Sequence, residues 1–222
     1  MIKRFRDRVE AGRVLAAKLT AYGNRTDVLV LGLPRGGVPV AYEVARELDA
    51  PLDVFVVRKL GMPGHEEYAI GAIATGGVRI INKEATRAFG VTNAEIEAVT
   101  AEEQLELARR ERRYRDGRPP PAIAGRTVIL VDDGLATGST MRAAVEALRD
   151  EGPARLVVAV PTAAPETCQE IGALVDDMIC AMTPEPFYAV GLWYEDFDQT
   201  TDEEVHDLLA LASGASHGAG RS

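Results

Sequence analysis

Short, mostly apolar runs alternate along this chain with stretches whose apolar residues return every third or fourth position. DVLVLGL (27–33), LDVFVVRKL (52–60), RTVILVD (126–132), RLVVAVPTA (155–163) and VDDMICAM (175–182) are of the first kind. Their Val, Leu and Ile content suits strands buried on both faces. VPVAYEVARELD (38–49), MRAAVEALRD (141–150) and, more weakly, PETCQEIGAL (165–174) are of the second kind and follow strands. FRDRVEAGRVLAAKL (5–19) places Phe5, Val9, Val14, Leu15 and Leu19 at helical spacing, and Gly23-Asn24 stops it. AIGAIATGGVRIIN (69–82) reads as two short strands turning at Gly76-Gly77. Strands alternating with helices predict an open, mostly parallel α/β sheet with helices on both faces.

Residues 93–115 form a long polar helix capped by Thr92 or Asn93, with acids early and arginines late as the helix dipole prefers. Its apolar stripe is thin. The run ELARRERRYR is a solvated face or a contact between two copies in a homodimer, rather than a nucleic-acid surface. Pro119 to Pro121 end the helix. No repeat or long linker divides the chain, so residues 1–212 are expected to form one domain and SGASHGAGRS (213–222) a flexible tail.

Composition narrows the function. With 34 acidic against 25 basic side chains the net charge is -9, which argues against general attraction to nucleic acid or anionic lipid. No apolar run approaches the roughly 20 residues that cross a bilayer. Cys168 and Cys180 lack metal-ligand spacing, and no secretory leader opens the chain. The expectation is a cytoplasmic protein with reduced thiols.

The segment VDDGLATGST (131–140) carries the chemistry. Asp132 and Asp133 at the end of a buried strand repel each other and resist ionisation unless a partner meets them. At the carboxyl end of a parallel strand the natural partners are sugar hydroxyls and a hydrated cation. Gly138 permits a tight turn, and Thr137, Ser139 and Thr140 offer hydroxyls beside the free N–H groups of the next helix. Together these groups match a ribose 5-phosphate.

VILVDDGLATGSTM resembles the phosphoribosyl-diphosphate motif of the type I phosphoribosyltransferases, and the order of the remaining parts extends the resemblance from roughly Val28 to Val160. It implies that Ala136 to Thr140 hold the 5-phosphate and that Asp132 and Asp133 support the ribose hydroxyls and, through them or through water, Mg²⁺. LGLPRGGVPVA is similar to the family's diphosphate loop, so Arg35, Gly36 and Gly37 are its candidates. VVRKLGMPGHEEYAIGAI (56–73) stands where the family carries a flexible closing loop. Arg58 and Lys59 are there the charge partners of the leaving diphosphate, and His65, Glu66 and Glu67 the loop tip. Members acting on 6-oxopurines usually carry an acid where this chain has Ala136, which points away from hypoxanthine or guanine. The variable hood is placed at TPEPFYAVGLWYEDFDQTTDEEV (183–205), where Phe187, Tyr188, Trp193 and Tyr194 would form the acceptor pocket or, alternatively, pack the segment onto the core. The partners implied are phosphoribosyl diphosphate and a small nitrogen heterocycle, in nucleotide metabolism. A non-catalytic sensor of the donor or of a nucleotide is the alternative. A diphosphokinase ranks last, because no GxxxxGK[ST] adenine-nucleotide site is present.

Overall fold

The computed structural model describes residues 4–215. In chain order the elements are α1 (Arg8–Ala16), β1 (Val28–Gly32), α2 (Gly37–Leu48), β2 (Leu52–Val54), β3 (Val57–Met62), β4 (His65–Ala74), β5 (Arg79–Ile81), α3 (Lys83–Ala88), α4 (Asn93–Arg115), β6 (Thr127–Val131), α5 (Ser139–Asp150), β7 (Arg155–Thr162), α6 (Pro165–Gly172), β8 (Asp177–Met182) and α7 (Asp202–Ala215). Five strands form one parallel sheet in the order β2-β1-β6-β7-β8.

Alternation along the central strands explains their continuous apolar character. Leu29, Leu31, Val128 and Leu130 face a core completed by Met141, Val145 and Leu148 of α5. Val28, Val30, Ile129 and Val131 face the opposite core, with Val40, Val44 and Leu48 of α2 and Leu15 of α1. Each such side chain contributes about 1.5–3 kcal/mol on full burial. Because β2 lies on one side of β1 and β6 on the other, the loops after β1 and β6 emerge side by side at the switch of strand order, where α/β sheets bind ligands.

Several sequence expectations are corrected. The first helix starts at Arg8 behind Asp7, whose carboxylate accepts the Glu10 N–H at 2.7 Å. It buries Ala11, Gly12, Leu15 and Ala16, while Val9 and Val14 are 37% and 41% exposed. A Cβ on Gly12 would lie 2.7 Å from the Glu43 Cβ, so α1 packs closer to α2 than larger residues permit. LDVFVVRKL is not one strand: β2 joins the parallel sheet and β3 leaves it. β3 and β4 pair antiparallel around a Pro63-Gly64 turn, so the stretch expected as a flexible loop is a hairpin, extended by β5.

The arginine-rich end of α4 is not simply a solvated face. Tyr114 and Arg115 are buried, and Arg115 donates to Asp53 Oδ1 at 2.9 Å and to the Val54 carbonyl at 2.8 Å. The stripe of Ile96, Leu107 and Tyr114 faces the hairpin and α7 of the same chain. The two cysteines are not separate thiols: Cys168 on α6 and Cys180 on β8 are joined as a disulfide, because the helix after β7 folds back on the neighbouring strand. Residues 213–215, expected in the tail, continue α7, and the rest of that tail lies outside the described residues.

Candidate functional site

The two glycine-containing loops meet at the strand ends. The Leu33 N–H donates to the Val131 carbonyl at 2.9 Å, fixing the loop after β1 beside Asp132 and Asp133. An added Cβ on Gly36 would fall 2.0 Å from Asp133 Oδ2, and one on Gly37 would fall 2.9 Å from the Asp132 Cα. Neither position accepts a larger residue without displacing the acids. The Pro34-Arg35 peptide bond is cis. Burial, and then the charge of Asp133, push the Asp132 carboxyl well above the ordinary carboxylate range. Burial also raises Asp133, opposed by Arg8.

Beyond Asp133 the chain runs to Gly138, which adopts φ 67° and caps α5 without any side-chain bond. The first N–H groups of α5, and those of α2 behind Gly36, therefore lack side-chain caps, whereas α1, α3 and α4 are capped by Asp7, Asn82 and Thr92. Thr137, Ser139 and Thr140 surround this turn. Thr167, in the first turn of α6, supports it from beneath: its hydroxyl donates to the Ala136 carbonyl at 2.6 Å, and a Cβ on Gly138 would lie 2.8 Å from its methyl group.

The other expected site residues divide. Lys59 reaches the turn, its Nζ donating to Ser139 Oγ at 2.9 Å. Arg58 points the other way and donates to Glu103 Oε2 of α4 at 2.6 Å, so the structure does not bring it to the acids. Arg35 lies 3.8 Å from Asp202 Oδ1 at the start of α7, and the same oxygen accepts the Tyr114 hydroxyl at 2.8 Å. His65 begins β4 at the hairpin tip, its ring 6.4 Å edge-on from Tyr68. That tip, with Phe89 and Val91, borders a cavity of about 460 Å³. Of Glu66 and Glu67, whose side chains lie outside the description, only the strand backbone is placed.

In the 183–205 segment, Phe187 and Trp193 stack with ring centres 6.3 Å apart, and Tyr188 is 78% exposed. The Trp193 indole N–H is buried and finds no hydrogen-bond partner among the described residues. Tyr194 is not a pocket wall. It is buried against Phe5 and Phe197, and its hydroxyl donates to the Asp133 carbonyl at 2.6 Å, with burial raising its pKa.

Sequence reasoning missed Arg8 and Thr167. Arg8 Nε and one terminal nitrogen each lie 2.9 Å from Asp133 Oδ2. Neither residue belongs to a local motif, and only the packing of α1 and α6 on the strand ends brings them in.

Among the described residues no three His, Cys, Asp or Glu side chains gather as a metal cage. Two carboxylates alone fit Mg²⁺, which keeps most of its water and is held through one or two acids plus phosphate oxygens of a substrate. Among the same residues no cationic side chain is bonded to Asp132, whose Oδ1 accepts the Asp133 N–H at 2.9 Å.

With this geometry in place, the phosphoribosyl transferase domain model matches residues 1–188, and the chain belongs to that family. A Mycobacterium tuberculosis H37Rv protein provisionally named a phosphoribosyl transferase is 46% identical over 211 residues, covering 95% of this chain and 47% of its own length. The chain thus spans about half the length of that relative. The bifunctional protein PyrR of Chloroflexus aurantiacus is 33% identical over 142 residues, 62% of this chain and 72% of its own. A crystal structure of a Thermus thermophilus protein superposes with a TM-score of 0.82 at 46% identity, covering 93% of this chain and 97% of that one. No described helix is long and apolar enough to cross a membrane.

Proposed function

We propose that the chain transfers the 5-phosphoribosyl group of phosphoribosyl diphosphate to a ring nitrogen of a small heterocycle. The nitrogen lone pair forms the new bond to the anomeric carbon, the bond to the diphosphate oxygen breaks with inversion, and the acceptor's proton leaves to solvent or diphosphate. The observation that carries this reading is the seating of Gly36 and Gly37 directly on Asp132 and Asp133, which sets a diphosphate loop and a diol-binding acid on one wall. Family membership and the likeness to PyrR support the donor.

In this reading Ala136 to Thr140 and the uncapped start of α5 hold the 5-phosphate, Lys59 adds a cation beside Ser139, and Arg35 with the Gly36 and Gly37 amides takes the diphosphate. Asp132 accepts from a ribose hydroxyl. The chemistry that Mg²⁺ would supply when bound, held from the side of Asp132, is neutralisation of the diphosphate charge. The chain's own contribution is position and charge, with no covalent nucleophile. The acceptor lies toward Phe187 and Trp193, and Ala136 leaves it without the acid that suits a 6-oxopurine.

Calorimetric titration of phosphoribosyl diphosphate with and without Mg²⁺, followed by diphosphate release across a panel of heterocycles, tests the proposal. Mg²⁺-dependent binding with acceptor-dependent release is expected. Binding without release for any acceptor points to a donor sensor, and absence of binding overturns the proposal.

A further inference from the structure

We propose that Arg8 is a positioning residue that commits Asp133 to anchoring the N-terminal segment and the 193–198 loop above the strand ends, leaving Asp132 as the acid that meets the donor's ribose hydroxyls. The identity of what Asp132 meets rests on the transferase reading; the anchor does not.

Arg8 is engaged on every side. Its Nε and one terminal nitrogen lie 2.9 Å from Asp133 Oδ2, and the other terminal nitrogen donates to the Asp198 carbonyl at 2.7 Å. The Phe197 ring covers its guanidinium at 4.0 Å, adding a cation–π contact. The Arg8 and Asp133 side chains are only 13% and 16% exposed, so this pair is not one of the solvated surface pairs that contribute little.

The partners it joins are themselves tied together. The Phe5 N–H donates to the Trp193 carbonyl at 2.9 Å, and the Glu195 and Asp196 N–H groups donate to the carbonyls of Phe5 and Arg6 at 2.8 Å each. Tyr194 closes the unit on the backbone oxygen of Asp133. Asp133 is thus held by its carboxylate from α1 and by its carbonyl from the C-terminal loop, while Gly36 sits against the same Oδ2. Among the described residues Asp132 accepts only from the backbone N–H of Asp133, and it faces Gly37. Two adjacent acids of identical type therefore differ in what holds them: Oδ2 of Asp133 is fixed by a buried cation, whereas among the described residues no side chain is bonded to Asp132, which meets only a backbone N–H.

The test measures thermal unfolding and Mg²⁺-dependent titration of phosphoribosyl diphosphate for Arg8→Ala, Arg8→Lys, Asp132→Asn, Asp133→Asn and the double variant Arg8→Ala/Asp133→Asn. Removing Arg8 strands a half-buried carboxylate, so Arg8→Ala is expected to lower Tm by about 5 °C or more. Asp133→Asn in that background should restore part of the loss, and Arg8→Lys should lose less than Arg8→Ala. Asp132→Asn is expected to weaken donor binding at least roughly ten-fold with little change in Tm. Strictly additive Tm changes overturn the anchor. Loss of donor affinity in Asp133→Asn as steep as in Asp132→Asn, at unchanged Tm, overturns the division between the acids. If the unaltered protein binds no donor, the transferase reading and the role of Asp132 fall together, and the Tm cycle alone decides the anchor.

Discussion

Lys59 and Ser139, 80 positions apart in the chain, meet through an Nζ to Oγ hydrogen bond of 2.9 Å that joins the β3–β4 hairpin to the start of α5. Its neighbour Arg58 faces the other side of the same strand and pairs with Glu103. Successive strand residues point to opposite faces, so only one of the two cations can reach the turn before α5. Lys59→Met is expected to weaken donor binding about ten-fold, the scale of a lost charge-assisted hydrogen bond. Arg58→Met should change donor affinity less than about two-fold and stability by less than about 1 kcal/mol, as partly exposed pairs do. Titration of the donor into both variants checks this, and equal losses would contradict it.

Thr167 holds the same turn from below. Thr167→Val keeps the methyl group that packs on Gly138 but removes the donor to the Ala136 carbonyl. A neutral hydrogen bond of this kind is worth about 0.5–1.5 kcal/mol. Donor affinity, read by the same titration, should therefore fall by about two- to ten-fold. Thr167→Ser, which keeps the hydroxyl, should bind the donor more tightly than the valine variant.

Glycine at position 36 is required by its neighbour rather than by its own backbone, because a methyl group there would lie 2.0 Å from Asp133 Oδ2. Gly36→Ala is expected to abolish measurable donor binding and to lower Tm, since the carboxylate must leave either the loop or Arg8. Gly138→Ala combines a φ of 67° with a contact at 2.8 Å to Thr167, and should cost about 1–3 kcal/mol in chemical denaturation. Wild-type denaturation midpoints in either variant would contradict this account.

Those residues mark what is legible in the sequence. The glycine loop at 35–37 and the acid pair with the turn that follows it are local patterns, each written within about a dozen consecutive residues, and the structure places them at adjoining strand ends of a parallel sheet that is legible from its alternating strand and helix signatures. What local patterns cannot carry is which way a side chain turns once a strand changes sheets. LDVFVVRKL contains β2, the break at Phe55-Val56 and the start of β3, so Arg58 and Lys59 are equivalent in the sequence and only the hairpin assigns each a face. The clustering of aromatic rings suggests a ligand pocket that includes Tyr194, whereas its hydroxyl is taken by Asp133. The disulfide escapes sequence reasoning for a related reason: Cys168 and Cys180 lie on different elements, and only the packing of α6 against β8 brings their sulfurs together.

Tyr114 offers a test of how α4 and α7 are joined behind the glycine loop at 35–37. It is fully buried, donates to Asp202 Oδ1 at 2.8 Å, and is pushed from its ordinary value of 10.0 up to about 12, chiefly by burial and then by that hydrogen bond. The sign follows from the direction of the shift. Below the unfolded value the hydroxyl is protonated in both states and its stabilisation is complete. Between the unfolded and folded values the unfolded chain releases the proton first, so stability falls as pH rises through that window. Tyr114→Phe removes both the hydrogen bond and the proton. It should therefore lower Tm at neutral pH by about 4 °C or more, given a charged acceptor. It should also flatten the alkaline slope relative to the unaltered protein, whose remaining tyrosines are common to both. Urea denaturation at a series of pH values from neutral to strongly alkaline measures the difference. Parallel curves would show that Asp202 does not hold a buried phenol and would detach Arg35 from the contact that α7 is argued to give it.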